Sequence, residues 1–333
     1  KIRMEKIYTS LGLMSGTSMD GVDASVIKSN GEDKYEVLFD QYFKYDEEIY
    51  EELVDIRNKI NDYKDLEVNS IILANIEKKI TLFHASVCKK IISNHSINID
   101  LIGFHGQTIF HNANEKISKQ LGDANLLSGI LKKKVVYNFR ENDIRNGGQG
   151  APLAPIFHHL LINQNQIKLP VCILNVGGIA NITIISSKDF NDLESYDIGP
   201  GNCLIDELIR KNTEERFDNN GELAEGGKTN EIILNQAIDN FDSIKNINNL
   251  SFDVKDFNLN FVRGLSLEDG LSTLADFTAS IIYRSIINSI ILDKDTRDII
   301  CYPLEGKISL EDFKTKVDWK DIVIEESIDG TLI

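Results

Sequence analysis

Cysteine is scarce and scattered in this chain. Cys88, Cys172, Cys203 and Cys301 are the four cysteines among 333 residues, with no C-x-x-C pair. So few and so scattered in a chain this long, they read as reduced, mostly buried thiols in a cytoplasmic protein, and neither a disulfide framework nor a zinc site is expected. Positive charge is also short. Thirty-six Lys and Arg face 52 Asp and Glu, a formal net charge of −16. Nucleic acid and anionic membranes both require clustered cations, so neither is expected as a partner. No apolar run approaches the ~20 residues of a membrane span. The opening stretch KIRMEKIYTS carries charges without the apolar core of a signal peptide. GxxxxGKS/T and GxGxxG are both missing, which removes P-loop and Rossmann nucleotide sites.

What remains is an ordinary globular composition, long enough for two domains sharing an interface or one large domain. Residues 7–14, 24–28 and 35–42 are strand-like runs separated by turn residues, an expected antiparallel meander. Helices are expected near 46–60 and 67–93, the second with Ile72, Ile76, Phe83, Val87 and Ile91 at helical spacing. A strand over 99–104 runs into GFHGQTIFH, followed by a helix at 126–131 and a short strand at 134–137. The second half opens as the first does: strand 170–176, a Gly177-Gly178 turn, strand 182–185. Helices follow near 201–212, 229–240 and 266–291. The last has Ser266 as N-cap, Asp269 three residues on, and an apolar face of Leu271, Leu274, Phe277, Ile281 and Ile282. A strand is expected at 298–301. Strand, glycine turn, strand, laid out twice with interspersed helices, predicts an α/β protein of two related domains, 1–138 and 139–333, with a cleft between them.

Five stretches carry candidate chemistry. In GTSMDGVD, residues 16–23, glycine admits a close ligand, N–H groups and hydroxyls can wrap phosphate, and Asp20 offers oxygen to Mg²⁺. The competing reading is a capped turn with solvated acids. NVGGIANIT, residues 175–183, is a second glycine turn; a pair of such hairpins can clamp a polyphosphate. HGQT, residues 105–108, is expected beyond a strand's carboxyl end, where open α/β sheets place ligands, although His105 could equally be structural. Neither His105 nor His111 has the acidic partners of a metal site. In FRENDIRNGGQGAP, Asp143 before a flexible glycine turn can serve as a general base and Arg140 can steady anions. A structural Arg–Asp pair is the alternative. DIGPGNCLID opens a helix whose N-terminus favours anions, whereas DNNGELAEGG lacks the spaced oxygen ligands and terminal Glu of a calcium loop.

Together these blocks, with QLGDANLL and LEDGLSTLADFTA, resemble the anhydro-N-acetylmuramic acid kinase family. They occur in order over roughly residues 11–280. The resemblance implies the two-domain fold of actin, sugar kinases and heat-shock chaperone ATPases. It implies ATP-dependent phosphorylation of an anhydro amino sugar with opening of its ring by water, in cell-wall (peptidoglycan) recycling. ATP would be bound by Gly16, Thr17, Ser18, Met19, Asp20, Gly21, Val22 and Asp23, with Asn175, Gly177, Gly178 and Asn181 forming the second turn. Mg²⁺ would sit at Asp20. Asp143 would be the base, helped by Arg140. His105, Gln107, Gln120, Asp123, Gly148, Gln149 and Gly150 would contact the sugar. The family also implies a homodimer. After the expected strand at 298–301 this chain reads YPLEGKISLEDF where the family carries a GGG-x-N-type segment, and it stops short of an acidic EAxxFA-type helix. Asn138 and Arg145-Asn146 replace an acid and small residues. These departures motivate the alternative of a catalytically impaired sugar-binding or regulatory relative.

Overall fold

The computed structural model describes residues 6–16, 18–112, 115–245 and 251–288. The expected strand at 298–301, Cys301 and the YPLEGKISLEDF stretch lie outside them. The described residues up to Gln166 form one compact unit and those from Ile167 another.

The first unit is built on a mixed sheet. β1 (Tyr8–Ser15), β2 (Gly21–Ser29) and β3 (Tyr35–Lys44) form the expected antiparallel meander. α1 (Glu47–Lys59), α2 (Tyr63–Val68) and α3 (Ser70–His95) follow. Asp46 caps α1 by accepting the Ile49 N–H at 2.9 Å, and Glu47, Glu48, Arg57 and Lys59 match its dipole. β4 (Leu101–Asn112) returns parallel to β1. β5 (Ile117–Leu121), α4 (Ala124–Leu131), β6 (Lys134–Val136), α5 (Phe139–Arg145) and α6 (Pro155–Asn165) complete the unit. The sheet order is β3-β2-β1-β4-β5, with β6 also on β4. Leu11, Leu13, Val26 and Ile102 from the strands meet Leu53, Ile76, Ile80 and Ile91 from α1 and α3 in one core. Ile72, expected on that apolar face, is exposed instead.

Two expectations change here. β4 does not stop at residue 104, because β5 pairs antiparallel with its second half. HGQT therefore lies inside a strand, not beyond its end. The boundary expected at 138–139 also falls inside the first unit, between β6 and α5. α6 belongs there because Gln164 and Tyr35 of β3 exchange two hydrogen bonds of 2.8 Å. The Phe157 ring also packs edge-on against Tyr35 at 4.9 Å.

The second unit has an antiparallel sheet of β7 (Val171–Val176), β8 (Ile179–Ile185) and β9 (Leu193–Pro200). α7 (Cys203–Asn212), α8 (Glu222–Glu225), α9 (Glu231–Lys245) and α10 (Leu267–Asn288) follow. Ser266 caps α10 as expected, accepting the Asp269 N–H at 3.1 Å. Leu271, Leu274, Phe277 and Ile281 are its buried face. Asp218 caps α8 through the Leu223 and Ala224 N–H groups, which accounts for the acid of DNNGELAEGG.

The β1–β4 pairing holds one irregularity that shapes everything near it. Leu13 pairs with Phe104 but Ser15 pairs with Gln107, so β4 carries one extra residue at His105–Gly106. This is a β-bulge. Gly106 has φ +74°, and a Cβ there would lie 2.4 Å from the Leu121 carbonyl oxygen. Gly106→Ala is expected to destabilise the protein by at least about 2 kcal/mol, from left-handed strain plus the clash. Gly129→Ala, exposed in α4 with nothing within 4 Å of the new methyl, should instead stabilise by up to ~1 kcal/mol. Urea unfolding of the two variants checks the opposite signs; equal effects would contradict the bulge.

Candidate active site

The bulge gives β4 two working side chains, His105 and Gln107. Gln107 is fully buried and its Nε2 donates to the Gly16 carbonyl at 2.8 Å. Its Oε1 is buried and accepts no hydrogen bond from the described residues. His105 lies 2.9 Å from Arg140 Nε, which donates to His105 Nε2. Its Nδ1 lies 2.7 Å from the Gly106 carbonyl. A carbonyl only accepts and a guanidinium only donates. His105 is therefore neutral with its proton on Nδ1. Burial first, and the Arg140 charge second, push its pKa down to about 3. Both ring nitrogens are occupied, so the histidine holds Arg140 and offers no free nitrogen to a substrate.

Arg140 NH1 reaches the Gly150 carbonyl at 2.9 Å. The Gly150 N–H then donates to Asp143 Oδ2 at 2.7 Å. Gly148 lies so close that a Cβ would stand 2.2 Å from that carboxylate. Residues 139–150 thus close a loop around Asp143, and Asp143 Oδ1 accepts no hydrogen bond from the described residues. Arg140 and Asp143 do not pair directly. Gly150 joins them, which differs from a simple structural Arg–Asp pair. Gln149 lies in the same loop.

The turn between β1 and β2 is fixed from several sides. The Met19 N–H donates to the Gly16 carbonyl at 3.3 Å, and Met19 itself is buried with φ +61°. Ser18 Oγ donates to Asp20 Oδ1 at 2.5 Å. The Tyr45 N–H holds the Asp20 carbonyl at 2.8 Å. Gly21 and Val22 begin β2 as buried residues, and Asp23 stands opposite Met14 and Tyr42. Thr17 lies outside the described residues. Ser15, Tyr45 and His84, which meet beneath this turn, went unread in the sequence. Only His84 left a signal there: it occupies an apolar helical position four residues after Ile80.

Other expected contacts have local duties. Asp123 caps α4, accepting the Leu126 N–H at 2.9 Å. Gln120 Nε2 donates to Ser118 Oγ at 2.8 Å within the β4–β5 hairpin, and His111 Nδ1 lies 3.0 Å from the same oxygen. In the second unit Asn175 stands directly opposite Asn181, flanking the Gly177-Gly178 turn. The N–H groups of Gly201, Asn202 and Cys203 donate to the Gly177 and Gly178 carbonyls at 2.8–3.2 Å. The N–H groups that lead into α7 are therefore engaged by the turn. Among the described residues no group of three His, Cys, Asp or Glu is arranged to hold a metal. No helix among them is long and apolar enough to cross a membrane.

Burial lowers three histidines: His84 to about 4, His105 to about 3 and His158 to about 4. An unfolded histidine titrates near 6.5. Below that pH the unfolded chain binds protons that the folded chain refuses, so stability is intact above about 6.5 and falls as pH drops toward 4. Urea unfolding should lose up to about 1.4 kcal/mol per pH unit per histidine below pH 6. Constant stability between pH 7 and 5 would contradict their neutral burial.

A sequence profile of the anhydro-N-acetylmuramic acid kinase family matches residues 8–301. A relative from Pelagibacter ubique (strain HTCC1062), named anhydro-N-acetylmuramic acid kinase, is 64% identical over 297 residues, covering 89% of this chain and 79% of its own. Relatives of the same name from Agrobacterium fabrum and Rhodospirillum rubrum are each 36% identical, covering 85% and 83% of this chain and 76% and 71% of theirs. Nothing in these comparisons favours an impaired relative. The chain belongs to the anhydro-N-acetylmuramic acid kinase family.

Proposed function

We propose that this chain converts 1,6-anhydro-N-acetylmuramic acid, ATP and water to N-acetylmuramic acid 6-phosphate and ADP, as a cytoplasmic homodimer in peptidoglycan recycling. The family supports the substrates. The observation that carries the mechanism is the Asp143 carboxylate, oriented through Oδ2 by the Gly150 N–H. Asp143 Oδ1 takes a proton from water as the water oxygen bonds to the anomeric carbon. The bond from that carbon to O6 breaks. O6 attacks the γ-phosphorus, and ADP leaves with the bonding electrons. General-base help of this kind contributes about 10²–10⁴-fold. Arg140 holds the loop, and through it the base.

Residues 16–23 and the Gly177-Gly178 turn are read as phosphate-binding turns, each on a strand-turn-strand hairpin. Two units built this way support the actin-like sugar-kinase fold. The donor chemistry of the first turn fits Mg²⁺ carried by ATP: one partly exposed carboxylate, Asp20, with Ser18 beside it. Magnesium is usually held by one or two carboxylates together with substrate phosphates. When bound, it neutralises charge on the transferring phosphoryl group. Gln107, Gln120, Gln149 and the backbone of Gly148 and Gly150 are read as the sugar side of the site. His105 acts there through Arg140, and Asp123 through α4.

Asp143→Asn keeps the shape of the side chain and removes the base. Its kcat is expected to fall at least about 100-fold, with KM for ATP unchanged in a coupled ADP-release assay. Unaltered kcat would refute the assignment. Gly148→Ala drives a methyl into the carboxylate and should lower kcat on the order of tenfold or more, as misplaced catalytic groups do. Full activity in that variant would show that the Gly148 approach is incidental.

A further inference from the structure

One buried polar cluster in the first unit plays no part in the chemistry above. Ser15, Tyr45 and His84 are 1%, 2% and 0% exposed, beside the apolar core of the unit. They come from the end of β1, the residue following β3, and the middle of α3. Ser15 Oγ lies 2.8 Å from Tyr45 Oη and 3.3 Å from His84 Nε2. His84 Nδ1 lies 2.8 Å from the Ile80 carbonyl. That carbonyl can only accept, so Nδ1 carries the proton and Nε2 must accept. The Ser15 hydroxyl then donates to His84, and its oxygen accepts from the Tyr45 hydroxyl. Every direction in the chain is determined. Burial keeps His84 neutral, with its pKa down to about 4, and raises that of Tyr45, so no member changes charge near neutral pH.

The chain ends on the turn. Tyr45, held by its hydroxyl at Ser15, donates its backbone N–H to the Asp20 carbonyl at 2.8 Å. Ser15 pairs with Gln107, the residue that holds the Gly16 carbonyl. The ends of the turn are thus gripped separately. We propose that Ser15, Tyr45 and His84 are positioning residues for the kinase reaction: a buried hydrogen-bond relay that fixes the Asp20 end of the phosphate turn against α3, as Gln107 fixes the Gly16 end against β4. This rests on the reading of residues 16–23 as the ATP phosphate site. A fully satisfied buried network specifies one geometry, where an apolar cluster of equal volume specifies only packing.

The test compares Tyr45→Phe, Ser15→Ala and their double variant with Val26→Ala and Asp20→Asn. Val26 is equally buried, on β2 and away from the turn. KM for ATP, KM for the anhydro sugar, kcat and thermal midpoint are measured for each. Both relay variants should raise KM for ATP about three- to tenfold, as loss of one buried hydrogen bond implies, without moving KM for the sugar. The double variant should be no worse than the worse single one, because the two groups act as a unit. Val26→Ala should lower the midpoint and leave KM for ATP alone. If the relay variants behave like Val26→Ala while Asp20→Asn raises KM for ATP, the relay is merely structural and the turn reading stands. If Asp20→Asn also leaves KM for ATP unmoved, the turn reading fails and the relay with it.

Discussion

The bulge at His105–Gly106 is the constraint on which the candidate site of the first unit depends. A regular β4 would keep strict alternation, and Gln107 would then face away from the core that holds Phe104. One extra residue brings Phe104 and Gln107 to the same buried side and leaves His105 partly exposed. His105 thereby reaches Arg140, and Gln107 reaches the Gly16 carbonyl. A single strand thus supports both the loop around the candidate base and the turn read as a phosphate site. The bulge is possible because Gly106 tolerates a positive φ and the close Leu121 carbonyl.

The two glycine turns are stabilised by different physics. The first is tied by side chains and backbone from distant elements, Gln107 on β4 and Tyr45 after β3. The second is braced mainly by backbone: the consecutive N–H groups of Gly201, Asn202 and Cys203, leading into α7, meet its two glycine carbonyls. That contact needs bare backbone on both sides. A Cβ on Gly201 would lie 2.1 Å from the Gly177 oxygen, which accounts for glycine in DIGPGNC without any appeal to a ligand.

Much of this was legible in the sequence. The meander, the glycine hairpin of the second unit and the Ser266 cap are local features, and local rules found them. The glycine-rich loop around Asp143 stood out because so flexible a stretch needs a reason to be ordered. What escaped was non-local. The continuation of β4 through HGQT depends on pairing with β5, whose ISKQL lacks an apolar run. The assignment of α6 to the first unit depends on Gln164 meeting Tyr35, 129 residues apart. Asp123 opens α4, where an acid is a common cap, and its Oδ1 accepts the Leu126 N–H. Ser15, Tyr45 and His84 carry no shared motif, since only the fold brings them together.

The central claim is that water attacks the sugar while the γ-phosphoryl group goes to O6, with Asp143 as the base. The direct measurement is a turnover in ¹⁸O-labelled water with ATP and 1,6-anhydro-N-acetylmuramic acid, followed by mass and ³¹P analysis of the products. The account predicts label on the anomeric carbon of the sugar 6-phosphate, none in its phosphoryl group, and formation of that product slowed at least about 100-fold in Asp143→Asn. Label in free phosphate, with the anhydro ring intact, would show plain ATP hydrolysis and contradict it.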